Sequence, residues 1–344
     1  MREEVAVSKL GVMVVGPGWV AGEHIKSYVH NPHTEIRVIA GMLPEDRVRA
    51  ETYMQKFGFR CDYTDNYEKT LERQDVAIVA VCTINHLHYS QALAAVEAGK
   101  HTFVEKPLCF TLAELQRLRE AAARHGVRTH VGHVARYYPA VRGLYNFVRD
   151  GGIGEVFYGE CDYWHEIVGA WKVTTATGGS ALLMGGCHAV DMVRWMMGEE
   201  REVKEVFAYS QPARRRRDFE YHPTISLLMR YEDGAIGRVA TSLECNMPYV
   251  FHLQFNGTKG TIRNNGLFSE RFPGQRRFMP IPADYPDDWD VAQHPFPTEV
   301  GYFVDCVRNN QESELSFAQA YKTYEVIFAA ELSAREGRPV SLPM

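Results

Sequence analysis

The sequence predicts two folded parts of different class. The first is an α/β domain on a doubly wound parallel sheet; the second is an α+β domain whose strands run mostly antiparallel. Three observations carry this. Apolar, strand-like runs alternate with helix-length segments over residues 8–131. A glycine turn follows the first of those runs, where such a sheet begins its first helix. Over residues 132–344 the alternation stops, and successive strand-like segments joined by tight turns take its place. A chain of 344 residues accommodates two domains of ordinary size.

Leu10 to Val15 is a short apolar strand ending at Gly16-Pro17-Gly18, and a helix follows to about His30, where Asn31-Pro32 stops it. Glu35 to Gly41 is the second strand, and Pro44 to Phe57 a helix closed by Gly58. Asp75 to Cys82 is apolar and rich in β-branched residues, as a strand buried on both faces must be. His86 to Ala98 is a helix closed by Gly99, and His101 to Val104 the next strand. Leu112 to His125 is a helix, and Val127 to Val131 the last strand of this part. In the second part Pro139 to Asp150 reads as a helix, Val156 to Glu166 as a strand, and Gly178 to Gly198 as a long helical segment. Strands follow at 203–210, 221–231, 235–243, 250–256 and 261–263, with Glu232-Asp233-Gly234 as a hairpin turn. Residues 265–297 read as an irregular excursion, and helices at 298–309 and 316–335 close the chain.

Gly16-x-Gly18-x-x-Ala21 sits at the strand-to-helix turn. The first glycine permits the tight turn and the second lets the backbone approach a pyrophosphate. The small third residue allows close helix–strand packing. The amides of Trp19, Val20 and Ala21, opening the helix, would then face phosphate oxygens. A dinucleotide site for NAD usually places an acid at the end of the second strand. Here Gly41-Met42-Leu43 stands there, with Glu45 and Asp46 only after Pro44. Arg47 and Arg49 are near enough to meet a 2′-phosphate if the loop folds back, so the choice between NAD and NADP stays open. Lys106, in Val104-Glu105-Lys106-Pro107, falls at a strand's carboxyl end, the edge where open α/β sheets bind ligands. Pro107 prevents regular continuation of that strand and fixes the local backbone.

Composition excludes several classes. The net charge of −5 gives no electrostatic reason to bind nucleic acid, and the Arg214–Arg217 run reads as a solvated loop or strand edge. Seven scattered cysteines without a C-x-x-C pair predict reduced thiols in a cytoplasmic protein and no metal site. The N-terminal stretch lacks the apolar run of a secretory signal, and no segment approaches the ~20 apolar residues that span a bilayer.

The Gly16 turn, Thr83-Ile84-Asn85-His86-Leu87-His88, Glu105-Lys106-Pro107 and Gly178 to Asp191 (GGSALLMGGCHAVD) together resemble the Gfo/Idh/MocA family of oxidoreductases over nearly the whole chain. The resemblance implies a Rossmann domain followed by a domain with a large, mostly antiparallel sheet often used for homo-oligomerisation. It also implies NAD(P)-dependent oxidation or reduction of a sugar, cyclitol or related polyol. Lys106 matches the lysine that contacts the reacting hydroxyl and the nicotinamide ribose, and His188 the proposed proton acceptor. Asp191 matches an aspartate near the substrate. Thr83, Asn85, His88 and Glu105, with Met42, match positions flanking the cofactor. Where the family usually has aspartate, four residues before the histidine, this chain has Met184. Methionine cannot orient an imidazole or hold a proton, which leaves Lys106 and His188 alone, or Glu166 or Asp162 as a substitute.

Removing hydride from a carbinol requires a base for the hydroxyl proton, a role open to histidine or to a lysine of depressed pKa. Lys106 reads otherwise as a structural ion pair with Glu105, and His188 as a core hydrogen bond; Asp191 reads equally as a brace. Trp164, His165 and Trp171 are candidates to line a sugar pocket, against plain core packing. Arg136 is a candidate polar group for substrate. The reading preferred is a dehydrogenase or reductase. A redox-neutral NAD-dependent glycosidase or lyase working through a transient keto-sugar is the alternative that Met184 motivates, and a non-catalytic nucleotide-binding regulator is the third.

Overall fold

The structure is a computed structural model that describes residues 9–282 and 293–344. The chain divides into two compact units. The first comprises residues 1–132 with Phe296–Gln319, and the second comprises His133–Pro295 with Ala320–Met344.

The first unit carries six parallel strands, β1 (Leu10–Val15), β2 (Thr34–Ala40), β3 (Asp62–Thr64), β4 (Ile78–Val81), β5 (His101–Glu105) and β6 (Thr129–Gly132), in the order β3-β2-β1-β4-β5-β6. Between them run α1 (Trp19–His30), α2 (Asp46–Phe57), α3 (Tyr67–Thr70), α4 (His88–Glu97) and α5 (Leu112–His125). Burial on both faces explains the unbroken apolar character of β1 and β4, whose side chains are almost all inaccessible. Gly58, Gly99 and Gly126 all hold positive φ where helices end, as expected from the sequence. The edge strand β3 is only three residues long and carries no apolar run, so periodicity does not reveal it.

Residues 296–319 depart from the expected boundary at 132. The helix α10 (Phe296–Arg308) buries Val300, Phe303, Val304 and Val307 in the same core as Val12, Ile25 and Phe103. His130 on β6 bonds Ser313 at 2.7 Å and lies 3.3 Å from the Glu299 carboxylate, and the Val131 amide donates to the Leu315 carbonyl. This late segment therefore completes the first unit.

The second unit opens with α6 (Pro139–Arg149). Among the described residues its sheet has nine strands: β7 (Val156–Trp164), β8 (Val203–Gln211), β9 (Thr224–Tyr231), β10 (Ile236–Ser242), β11 (Val250–Gly257), β12 (Gly260–Arg263), β13 (Gly266–Ser269), β14 (Met279–Pro280) and β15 (Val340–Ser341). The order is β14-β13-β12-β11-β7-β10-β9-β8-β15. All pairings are antiparallel except β7 with β10, which run parallel side by side, so the sheet is mixed. The short helices α7 (Ala170–Val173) and α8 (Thr175–Gly178) precede a π-helical turn, Leu182–Gly186, which runs into α9 (Cys187–Met197). The last helix is α11 (Phe317–Glu336). Strands β13 and β14 lie within the stretch read as irregular; residues 283–292 of that stretch lie outside the described residues.

One face of the sheet packs on α9, and glycines let it approach. A Cβ at Gly159 would come 2.7 Å from the Met197 sulfur, and one at Gly237 2.9 Å from Val193. On β9 every second side chain is buried and its neighbours are open, the pattern of a sheet covered on one side.

Candidate active site

In the first unit the elements converge on the carboxyl ends of β1, β4 and β5. Gly16 sits at φ +79°, a conformation that L side chains rarely adopt, and a Cβ there would lie 2.4 Å from the Thr83 side chain. Gly18 caps α1 without a side chain, and a Cβ on it would meet nothing within 4 Å. Ala21 is fully buried, Trp19 is exposed, and the first turn of α1 holds no acid. Open space in front of uncapped amides, with no carboxylate among them, suits a pyrophosphate. The residues present therefore fit a dinucleotide. Tyr53 fixes the turn from α2 by donating to the Gly18 carbonyl at 2.9 Å.

At the end of β2, Asp46 is buried and turned inward, and its carboxylate accepts from the amides of Met42 and Leu43 at 2.9 and 3.0 Å and from Arg49 at 3.1 Å. Met42 itself is exposed, with its sulfur 3.4 Å from the Gln91 amide nitrogen. Gln91 also accepts from the Thr83 hydroxyl at 2.7 Å. The Arg47 guanidinium lies over the Tyr63 ring at 4.5 Å. Asn85 is buried and opens the short 3₁₀ turn ahead of α4, and His88 is the buried first residue of α4.

Glu105 ends β5 and is buried, with Oε1 2.7 Å from His24 Nε2 on α1. Burial pushes its carboxyl up, but the His24 bond and the neighbouring positive charge outweigh this and hold it below the ordinary carboxylate value. Lys106 follows immediately, half-buried, and the Lys106–Pro107 peptide is cis.

In the second unit His188 is buried on the first turn of α9. Its ring stacks on Tyr163 at 6.0 Å and meets His133 edge-on at 5.6 Å. Tyr163 shares a 3.0 Å hydrogen bond with His165 Nδ1, and Tyr249 lies 5.1 Å from the His165 ring and 6.1 Å from His294. The Tyr138 hydroxyl reaches His294 at 2.8 Å. His188 and His165 are thus brought into one ring cluster. His133, Tyr138, Tyr249 and His294 also belong to it, and no motif marks them in the sequence. Trp164 stands on the other face of β7, by strand alternation, and Trp171 lies on α7 with the Lys172 ammonium 5.6 Å from its ring.

Arg136 and Asp191 do not present polar groups outward. Both are about 1% exposed and bind each other through two 2.7 Å hydrogen bonds, with Glu199 on the third guanidinium nitrogen at 2.9 Å. Burial raises the Asp191 carboxyl, yet Arg136, His133 and Arg194 bring it below its ordinary value. The two carboxylates offered as substitutes at Met184 are also engaged: Glu166 pairs with Arg215, and Asp162 with Arg238 at 2.9 Å on the strand face opposite Tyr163. The Arg214–Arg216 loop is anchored, its three amides donating to the Glu244 carboxylate. Among the described residues no metal-ligating cluster occurs, and no helix is long and apolar enough to cross a membrane.

Two family models match. Residues 10–133 match the oxidoreductase family with an NAD-binding Rossmann fold, and residues 141–263 match the GFO/IDH/MocA C-terminal domain. Levoglucosan dehydrogenase of Pseudarthrobacter phenanthrenivorans is 25% identical, covering 74% of this chain and 73% of its own. Inositol 2-dehydrogenase of Burkholderia ambifaria is 25% identical, covering 95% and 93%. A solved structure of levoglucosan dehydrogenase in complex with NADH and L-sorbose shares the fold, with a TM-score of 0.87 at 23% identity over 98% of this chain and all of that one. With both of its domains matched in chain order, the protein belongs to the Gfo/Idh/MocA family of NAD-binding oxidoreductases.

Proposed function

We propose that the protein transfers hydride between a nicotinamide cofactor, NAD or NADP, and a secondary alcohol or ketone of a sugar, cyclitol or related polyol. The observation that carries this is Lys106 held just beyond the end of β5, in a unit whose Gly16–Ala21 turn leaves room and uncapped amides for a pyrophosphate. Bound nicotinamide supplies the hydride acceptor or donor. The protein's own part is the proton. As a C–H bond of the carbinol gives up hydride, the hydroxyl proton must leave, and Lys106 and His188 are the groups assigned to hold it. The seats of Gly16, Gly18, Thr83 and Asn85 orient the cofactor, while His88 is buried behind them against the Thr83 and Pro107 carbonyls. The ring cluster of Tyr163, His165 and Tyr249 offers flat apolar faces and hydrogen-bonding edges of the kind that bind polyols. Relatives named for levoglucosan, inositol and D-apiose support the substrate class.

We also infer self-association through the open face of the second unit's sheet. Tyr209, Leu228, Ile236 and Phe268 are all more than a third exposed and lie on one face by register. Leu228→Lys should lower the mass seen by light scattering; an unchanged mass, or a monomeric parent, removes this interface.

The test of the reaction is nicotinamide reduction with NAD⁺ or NADP⁺ on myo-inositol, levoglucosan and D-apiose. Lys106→Ala should abolish turnover while fluorescence still reports bound NADH. Full activity in that variant would sink the role of Lys106.

A further inference from the structure

The chain on both sides of Lys106 is held by buried histidines from two helices of the same unit. Strand β5 ends at Glu105, so Lys106 and Pro107 lie beyond the ladder, and Pro107 has no amide hydrogen to donate. Its carbonyl is the main-chain handle that remains, and it accepts from His88 Nδ1 at 2.7 Å. On the other side, the Glu105 carboxylate accepts from His24 Nε2 at 2.7 Å. Gly132 on β6 leaves room for that carboxylate, since a Cβ there would stand 3.2 Å from it. The Nδ1 of His24 has no partner among the described residues, which assigns the ring proton to Nε2. Both rings are essentially inaccessible, so neither touches substrate.

His88 has a second contact. Its Nε2 lies 3.0 Å from the Thr83 carbonyl, beside the Gly16 turn. Carbonyls only accept, so each contact calls for a ring N–H, and a neutral imidazole has one. Burial keeps the ring below its ordinary pKa against the pull of the two carbonyls and Glu105, with Lys106 reinforcing the lowering. The shorter contact is to Pro107.

We propose that His24 and His88 are positioning residues for Lys106, His88 through Nδ1–H to the Pro107 carbonyl and His24 through the Glu105 carboxylate. Residues 105–107 are thereby fixed to α1 and α4, the two helices that begin beside the cofactor turn. The proposal rests on the role given above to Lys106.

Asparagine places an amide nitrogen about where Nδ1 sits, and glutamine about where Nε2 sits. His88→Asn should therefore keep the hold on Pro107, and His88→Gln only that on Thr83. Lys106 is read directly by acetic anhydride labelling and mass spectrometry, with exposed Lys56 as internal reference. In His88→Asn Lys106 should label at the parental rate. In His88→Gln the rate should change by about threefold or more, as the amine moves relative to the charges and dipoles around it. With a polyol that the parent enzyme turns over, His88→Gln should lower kcat on the order of a hundredfold, with NADH dissociation unchanged. Equal labelling in the two variants overturns the proposal, and so does loss of NADH binding with labelling unchanged. A readout without any variant is ¹⁵N NMR of the imidazoles: His88 should carry its proton on Nδ1, and a ring protonated on Nε2 alone refutes it. Full turnover by Lys106→Ala would defeat the functional reading instead and leave the labelling comparison standing.

Discussion

Replacing Asp191 with alanine separates a structural from a substrate-binding role. Arg136 is about 1% exposed, gives two 2.7 Å hydrogen bonds to Asp191, forms an ion pair with a Glu199 carboxylate oxygen 2.9 Å from its third nitrogen, and lies 5.0 Å from the Trp195 ring. Removing one partner of a buried pair costs ~3–5 kcal/mol, because the other charge is left desolvated. Glu199 still faces the guanidinium after the change, which sets the expectation at the lower end, about 3 kcal/mol. For a unit of this size that is roughly 6–12 °C in Tm. Trp195, stacked on Tyr145 at 3.8 Å, gives near-ultraviolet circular dichroism a probe in the same cluster. The double variant Arg136→Met/Asp191→Leu, which removes both charges, should recover much of the loss. The acid limb of the stability curve should change too. The Asp191 carboxyl lies below its ordinary 3.8, so its contribution is present above that value and vanishes as pH falls beneath it. Asp191→Ala should lack that limb. A loss of less than about 1 kcal/mol together with a raised KM for polyol would refute the argument and return Asp191 to the substrate.

Three further outcomes follow from single sites. Gly16→Ala forces a side chain into φ +79° and against Thr83, so NADH fluorescence titration should show at least about tenfold weaker binding, the equivalent of ~1–2 kcal/mol; parental affinity would show that the turn does not seat the cofactor. Gly185→Ala sets a Cβ 2.4 Å from the Tyr163 ring, which should cost about 1–3 kcal/mol in urea unfolding; a neutral result would mean that the π turn and β7 separate freely. Glu331 is pushed up to about 7 by burial, against the bond it accepts from Ser180. Its raised pKa adds stability that is full below 4.5 and is lost as pH rises to about 7, on the order of 3 kcal/mol. Glu331→Gln should flatten the dependence of Tm on pH across that window, and an unchanged slope would exclude Glu331 as its source.

What the sequence discloses is what short stretches of backbone decide for themselves. Unbroken apolar runs mark β1 and β4, and glycines at positive φ mark the ends of α2, α4 and α5. The Gly16 turn was legible because strand, turn and helix are contiguous. The return of residues 296–319 to the first unit was not, since an amphipathic helix declares that it has an apolar face and not which core receives it. The parallel pairing of β7 with β10 is hidden for the same reason, as alternation fixes a strand's faces and leaves its neighbours open. Arg136 and Asp191 show the limit for polar groups. Side by side in the chain with aromatic residues and an α-helix motif, each reads as well for a ligand as for the other, and only the fold brings the two within 2.7 Å.

Met184 illustrates how a spacing argument depends on the helix that carries it. Positions i and i+4 share a face when the intervening turn is α-helical. Here residues 182–186 form a π turn, so the segment that carries residue 184 into α9 is wider than an α-helical turn. The turn sits where two glycines bring the chain against the sheet: a Cβ on Gly185 would strike Tyr163, and one on Gly186 would come 2.9 Å from Thr241. Close packing thus sets the direction of His188 through Tyr163 and the neighbouring His133, with Met184 buried in the turn itself. An aspartate at 184 would have to ionise in that buried turn, at a desolvation cost that methionine does not incur. Restoring the usual residue type is therefore not equivalent to restoring an acid beside the imidazole.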